Sequence, residues 1–405
     1  MVKNKKIILV LTNSFPNPNK IHWGIFIAQT LKHLSEYYCI EVIKPVPWVP
    51  KIIKYFTTKT SDMHTYSNLP QNWAWEGMNV HYLRFFYFPK ISQSFHSIFI
   101  AFHLYFRIKC LGVKNIALIN AHYLYPEGVA AVVLGKILNL PVVISARGSD
   151  VNIEATHFLK RPQIKWAINN ASMVIGVSKD LCEKMQKIIC YSHKIIRFIP
   201  NGINHSLFQN LDKKMCREKL SLPHDKKILL FVGRIDPVKN IINLIKAIRV
   251  LKDQNKVNFH TILIGDGPLE ETIQNKIKES ELSTDIVMIG MKPHNEIPVW
   301  MTAADILCLP SINEGQPNVI LESLACGTPV VGSNVGGIPE LINEQNGYLF
   351  SPHSINEIAN AIHTAMLSNW DRESVAHTVQ HLTWENTATA YKICFDNLLR
   401  DCSDN

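Results

Sequence analysis

Short runs of aliphatic and β-branched residues recur along the chain, and between several of them apolar residues fall at helical spacing, as at Phe26-Ile27, Leu31 and Leu34. In the first half the runs Ile7–Leu11, Ile40–Ile43, Val80–Leu83, Leu118–Asn120, Val142–Ser145, Met173–Val177 and Ile195–Ile199 predict strands. Strands separated by helices imply parallel βαβ units. Pro200-Asn201-Gly202-Ile203 breaks the series, and a polar, helix-compatible stretch follows. A second series then runs through Ile228–Val232, Thr261–Ile264, Ile286–Ile289, Ile306–Leu309, Val330–Val331 and Tyr348–Phe350. The expected architecture is α/β, with two Rossmann-like, doubly wound domains, 1–205 and 206–383. Such domains bind ligands at the carboxyl ends of their strands, which predicts a central crevice as the site. Trp384–Leu399 reads as a final helix with Ala388, Tyr391, Ile393, Phe395 and Leu398-Leu399 available for packing. Spacing alone leaves open which domain it joins.

Composition narrows the class. A hydrophobic fraction of 47% and a charged fraction of 19% exclude a disordered chain. The nine cysteines form no Cys-x-x-Cys pair, which excludes a zinc frame or a disulfide scaffold and reads as free thiols in a reducing compartment. The apolar run near the N-terminus is short for a signal-peptide core, and no window approaches the ~20 apolar residues of a membrane span. A cytoplasmic chain is expected. Charge is uneven: residues 1–200 hold 24 Lys+Arg against 9 Asp+Glu, whereas the remainder holds 18 against 24. A half at +15 beside one at −6 suits an anionic neighbour of the first domain. No run of five bases occurs, and no nucleic-acid partner is expected. Phe95, Ile98, Phe99, Phe102, Tyr105 and Phe106 fall along one helical face, with Lys90, Arg107 and Lys109 at its ends. That face is read either as core of the first domain or as a face toward an anionic membrane surface, peripheral on the inner side of the plasma membrane.

Candidate chemistry concentrates in the second half. Gly233-Arg234 ends a strand, and Lys239 precedes a helix starting near Asn240. Gly233 allows close backbone approach, and two fixed cations beside a helix N-terminus suit a diphosphate. An ordinary βα turn with two surface bases is the competing reading. In Ser311-Ile312-Asn313-Glu314-Gly315-Gln316-Pro317-Asn318, Pro317 suits the first turn of a helix, and Gly315 frees the loop before it. Glu314 then stands at the helix entrance with Glu322 inside it. The amides near 315–318 can hold an anion or sugar hydroxyls, and an ionised Glu322 can accept both hydroxyls of a ribose diol. Val335-Gly336-Gly337-Ile338-Pro339-Glu340 and Ile264-Gly265-Asp266-Gly267 read as Gly-rich strand-to-helix turns. Asp-x-Asp, the usual metal-holding pair of transferases, is absent from the sequence.

Gly-Arg…Lys, Glu-x7-Glu and Gly-Gly-Ile-Pro-Glu in this order resemble the family 4 retaining glycosyltransferases of GT-B fold, and Asn201-Gly202-Ile203-Asn204 resembles that family's domain-boundary motif. The resemblance implies that the final helix, 384–405, crosses back to the first domain. It implies that Arg234 and Lys239 hold the donor diphosphate, Glu322 the ribose, and that Glu314 meets the donor sugar with Gly315, Gln316 and Asn318 around it. Pro16 and Gly24-Ile25-Phe26 resemble the loop whose amides approach the donor phosphate. His122, in Ala121-His122-Tyr123 through Gly128, resembles the histidine that faces the donor sugar. By this likeness the catalytic set is His122, Arg234, Lys239 and Glu314. Arg147 stands where many members carry a histidine, so an anion or acceptor contact is expected of Arg147, Ser149 and Asp150 rather than acid–base work. The family implies transfer of a hexose, with retention, from a nucleotide sugar, UDP-linked in preference to GDP-linked, to a lipid-linked or polysaccharide acceptor in cell-surface glycan synthesis. No cofactor and no metal are expected. An epimerase-like enzyme or a catalytically silent binder of the same fold are the competing readings, and both fit the intact Arg234, Lys239, Glu314 and Glu322 less well.

Overall fold

A computed structural model describes residues 5–48, 69–86, 94–111, 115–254 and 258–401. Packing divides the chain into one unit of Met1–Gly202 with Trp384–Asn405, and a second of Ile203–Thr383. Lys90, expected at the edge of the aromatic face, lies outside the described residues.

The first unit is built on eight strands: β1 (Ile7–Leu11), β2 (Cys39–Trp48), β3 (Asn72–Trp75), β4 (Met78–Phe86), β5 (Ile116–His122), β6 (Val142–Ala146), β7 (Met173–Gly176) and β8 (Ile196–Phe198). Their order in the sheet is β3-β4-β2-β1-β5-β6-β7-β8, with only the β3–β4 pair antiparallel. The chain therefore winds outward in both directions from the β1/β5 junction, which is the switch point where such sheets bind ligands. Two departures from the expected strands have local causes. β3 is a four-residue edge hairpin arm joined to β4 through the left-handed Glu76 and Gly77, too short to show an alternating pattern. β2 runs past Ile43 through Pro45 and Pro47, because its pairing with β1 ends at Ile43 while its pairing with β4 continues to Trp48. Prolines are tolerated on such a one-sided stretch.

The final helix, Trp384–Asp401, belongs to this unit. It packs on helix Ile25–Leu34, and Ala388, Tyr391 and Phe395 are at most 1% exposed. The Tyr391 hydroxyl donates to Ser145 Oγ at 2.9 Å, and Tyr38 Oη donates to Asp396 at 2.6 Å.

Helix His96–Leu111 sends Ile100, Ala101, Leu104 and Ile108 into the core. Of the predicted aromatic face, Phe99 and Tyr105 are half-buried, whereas Phe95, Ile98, Phe102 and Phe106 are 47, 58, 60 and 50% exposed. For those four the core reading is overturned. Among the described residues no helix is long and apolar enough to cross a membrane.

The second unit carries β9 (Lys227–Val232), β10 (Phe259–Ile264), β11 (Ile286–Met288), β12 (Ile306–Leu309), β13 (Val330–Ser333) and β14 (Gly347–Phe350). The order is β11-β10-β9-β12-β13-β14, parallel throughout, with its switch point between β9 and β12. At the opposite, amino end of these two strands Asp305 accepts from Arg217 at 2.7 Å, from Lys213 at 2.7 Å and from the Ile228 amide at 2.6 Å. Burial alone would raise this carboxyl, but Lys213 and the other donors outweigh it and hold it below its ordinary range. The cluster pins the two central strands together away from the ligand end.

Candidate functional site

The switch point of the second unit gathers the predicted donor-binding residues. β9 ends at Val232 and delivers Gly233-Arg234. Asp236 caps the short turn Pro237–Lys239 by accepting from the Lys239 amide, and Asn240, at φ 54°, starts helix Ile241–Asp253. The side-chain amide of Asn240 donates to the Pro310 and Pro352 carbonyls at 3.1 and 2.9 Å, tying this helix start to the strand ends beside it. From the end of β12, Ser311–Asn318 crosses toward helix Asn318–Ala325, for which Pro317 is the N-cap. The Ile312 amide donates to the Val238 carbonyl at 2.9 Å, so the two loops are joined.

Lys239 Nζ and Glu314 Oε1 meet across these loops at 2.5 Å, with the side chains 18 and 13% exposed. Arg234 differs: its side chain is 54% exposed and lies 3.8 Å from Asp236. Of the two cations expected to be fixed, only Lys239 is held. Glu322, inside helix Asn318–Ala325, has one carboxylate oxygen 3.0 Å from His294 Nε2. Burial disfavours charge on His294, yet the bond to Glu322 outweighs it and raises the imidazole above its ordinary value. One of the two oxygens expected to face a ribose diol is therefore shared with His294. No spacing rule marks His294 in the sequence; it joins the site because the loop after β11 passes Glu322. Gly315 is buried, and Gln316 and Asn318 are half-buried at the helix start.

The glycines earn their places by contact. A Cβ on Gly336, at φ 56°, would lie 2.1 Å from the Glu314 carbonyl oxygen, and one on Gly265 would lie 1.8 Å from that of Gly233. The Gly-Gly-Ile-Pro-Glu turn is thus pressed against the backbone that carries Glu314. Close approach at the first turn depends on Gly265 rather than on Gly233, whose added Cβ would meet only side chains of Phe231 and Lys239.

In the first unit the β1/β5 junction carries the other predicted residues. Gly24, at φ 68°, precedes helix Ile25–Leu34, and a Cβ there would lie 2.3 Å from the Ser14 carbonyl oxygen. His122 ends β5 and is fully buried. Its Nδ1 accepts from Arg147 Nε at 3.2 Å and Nη2 at 2.7 Å. A guanidinium only donates, so Nδ1 carries no proton and the neutral ring bears its hydrogen on Nε2. Burial, and then Arg147, hold the imidazole far below its ordinary value. His122 is therefore a neutral N–H donor, and its Nε2 has no hydrogen-bond partner among the described residues.

Arg147 also donates to Asn201 Oδ1 at 2.9 Å and lies 5.4 Å from the Phe26 ring centre. These contacts make it an orienting group for His122. Asp150, 1% exposed, accepts from the amides of Leu124, Arg147 and Gly148 at 2.7, 3.1 and 2.8 Å. Its carboxylate organises the turn, and of the expected acceptor-side trio only Ser149 is exposed. Glu127, in the same turn as His122 and also buried, is pushed up to about 8, chiefly by burial.

Two family models match the chain: Glycosyltransferase Family 4 over residues 56–207 and Glycosyl transferases group 1 over residues 212–380. The chain is 34% identical over 249 residues to a Bacillus subtilis protein named for teichuronic acid biosynthesis, the glycosyltransferase TuaC; the match covers 60% of each chain. It is 24% identical over 239 residues to N-acetyl-alpha-D-glucosaminyl L-malate synthase of Bacillus anthracis, covering 58% of this chain and 61% of that one. In fold it is similar to sucrose-phosphate synthase from Thermosynechococcus elongatus, with a TM-score of 0.77 at 21% identity over 98% of this chain and 100% of that one. Anabaena HepE, solved in complex with UDP, aligns with a TM-score of 0.69 at 19% identity over 97% of this chain and 100% of that one.

Proposed function

Because the chain belongs to the family 4, or group 1, glycosyltransferases of GT-B fold, we propose that it moves a hexose from a UDP-sugar to a lipid-linked or polysaccharide acceptor during cell-surface glycan synthesis, with retention at the anomeric carbon. The observation that carries this reading is the Lys239–Glu314 pair at the switch point of the second sheet, braced from behind by Gly336. A nucleoside diphosphate leaving group develops negative charge as the bond to the sugar breaks. Lys239 supplies a held positive charge there, Arg234 a second that can close on the phosphates, and the amides before helix Asn318–Ala325 supply donors. Glu322, oriented by His294, accepts from the ribose. In the first unit His122 keeps a buried Nε2 donor without a partner among the described residues, and Ser149 is exposed in the turn after β6. With no Asp-x-Asp in the sequence, these cations do the work of a metal ion, and the departing phosphate takes the acceptor's proton during same-face attack.

TuaC's teichuronic acid role and the UDP in HepE support the polymer acceptor and the uridine donor. A thermal-shift panel of UDP-, GDP- and ADP-sugars tests the donor, since a ligand at 100 times its Kd stabilises by ~2.7 kcal/mol. Stabilisation by UDP-sugars is expected, together with UDP release that requires added acceptor and persists in EDTA. Stabilisation by GDP-sugars alone would reassign the donor. The absence of any nucleotide effect would remove the reading.

A further inference from the structure

The outward face of helix His96–Leu111 is unusual for a water-facing surface. Phe95, Ile98, Phe102 and Phe106 are spaced three, four and four residues apart, an arc of about 80° at 100° per residue. All four are about half exposed, opposite the buried stripe of Ile100, Ala101, Leu104 and Ile108. The face does not end with the helix. Gln163 accepts from Ser97 Oγ and donates to the Ser94 and Leu159 carbonyls, which ties the turn that carries Phe158, 85% exposed, and Leu159, 47% exposed, to the start of this helix. On the other side rings run from Phe106 to Phe102 at 4.9 Å, Phe102 to His103 at 5.6 Å, His103 to Phe86 at 5.3 Å and Phe86 to Trp48 at 5.1 Å. The ring contacts join the helix stripe to the exposed Phe86 and Trp48 in one patch, which is more than singly scattered exposed residues.

Its charge is predominantly basic, with Glu154 at its border paired to Lys160. Neither Ser94–Leu111 nor His157–Asn170 contains an Asp or Glu, while the two segments carry Arg107, Lys109, Lys160, Arg161 and Lys165. Lys109, Arg161 and Lys165 are exposed. Lys109 Nζ sits 4.5 Å from the Tyr105 ring centre, one turn beyond Phe106 on the same stripe. An apolar stripe with bases along its border matches the interface of an anionic bilayer, where rings enter the headgroup boundary and ammonium groups stay with the phosphates. A protein partner would need acidic groups and apolar groups in the same proportion; a bilayer presents both continuously.

We propose that this face is a membrane-docking surface that lays helix His96–Leu111 in the plane of an anionic lipid bilayer. The proposal rests on the reading that the acceptor is lipid-linked, and it names the surface that would bring the first unit to it. Binding requires two contributions, and each can be removed separately. The electrostatic part falls with salt, because charges farther apart than a Debye length are screened. The apolar part does not.

The full chain is sedimented with vesicles of phosphatidylcholine alone and with 30 mol% phosphatidylglycerol (roughly the range in which polybasic surfaces respond). Binding is expected only with the anionic vesicles, and it should weaken at high salt. Phe102→Ser/Phe106→Ser should lower the bound partition at least ten-fold, and Phe158→Ser/Leu159→Ser should lower it as well. Thermal stabilisation by UDP in vesicle-free solution reports folding and the donor site separately, and it should be unchanged in both variants. Equal partition on the two vesicle types, or none on either by a protein that binds UDP, would overturn the docking surface and leave the donor reading intact. A wild-type dimer that the Phe102/Phe106 variant converts to monomer, without vesicle binding, would assign the face to a second copy instead.

Discussion

At the scale of single residues, the two cations after β9 are not equivalent. Lys239 is held by Glu314 in a setting that is mostly closed to solvent, while Arg234 is largely exposed. Lys239→Ala should therefore lower turnover by ~10²–10³-fold, the usual loss for a preorganised charge, and should also destabilise the second unit, since it strands the Glu314 carboxylate. Arg234→Ala should lower turnover while leaving the unfolding midpoint within error. Urea titration beside kinetics separates the two, and equal stability losses would contradict the difference in how the side chains are held. His294 adds a pH signature. Its folded value lies above the unfolded value of about 6.5, so its contribution is fully present below that value and disappears as pH rises through the folded one. His294→Asn should cost ~1–2 kcal/mol at pH 6 and distinctly less at pH 9. A pH-independent loss would show that His294 acts by packing against Phe208 rather than by its charge. Glu322 was legible in the sequence because Glu-x7-Glu is a local spacing, and one that resembles the family's motif. His294 was not, since its pairing with Glu322 spans 28 positions and is created by the sheet. Asp150 errs in the other direction: a polar residue in a functional-looking turn proves to be consumed by three backbone amides.

At the scale of elements, turns position the chemistry. The strand pattern was readable almost throughout, because buried parallel strands are short continuous apolar runs. What escaped was the pair of features that break that rule, the brief edge arm Asn72–Trp75 and the proline-bearing end of β2. The glycine turns were visible as motifs, but which backbone each one approaches depends on strand order. Gly336→Ala adds a Cβ 2.1 Å from the Glu314 oxygen at a left-handed φ. It should cost ~1–3 kcal/mol and reduce turnover by displacing Glu314. Gly290→Ala is the matched control within the same unit: its φ is 69° but an added Cβ meets nothing within 4 Å. It should lose some stability from the backbone conformation alone and keep its activity. If both variants retain wild-type turnover, the contact between the Gly-Gly turn and Glu314 has no part in catalysis. Helix His96–Leu111 shows the limit of periodicity as a guide: two apolar stripes share one helix, and only packing reveals that Leu104 faces inward and Phe102 outward.

At the scale of the whole molecule, the chain order and the folding units do not coincide. The second unit is one continuous stretch, whereas the first is completed by a helix that arrives last. Spacing alone offers Trp384–Leu399 as amphipathic without saying what it covers, because an apolar stripe fits any complementary face; only the family resemblance points to the first domain. In the structure that stripe closes a core of its own: Phe395 packs with Tyr391 and with Tyr38, each at a ring distance of 5.9 Å, over helix Ile25–Leu34 and the strands beneath it. The stability of the first unit must therefore depend on residues nearly two hundred positions beyond its main body, and that of the second must not. Phe395→Ala removes a fully buried ring and should destabilise by ~3–5 kcal/mol. The loss should appear only in the transition that belongs to the first unit. Nucleotide added in excess marks the other transition, because a ligand held by the second unit raises its midpoint selectively. Calorimetry of the wild type and Phe395→Ala, with and without UDP, should show the UDP-sensitive transition unmoved by the substitution and the UDP-insensitive one shifted down. A single transition that moves as a whole in both experiments would mean that the two units unfold together, and the last helix would then be stabilising the entire chain rather than the unit whose core it fills.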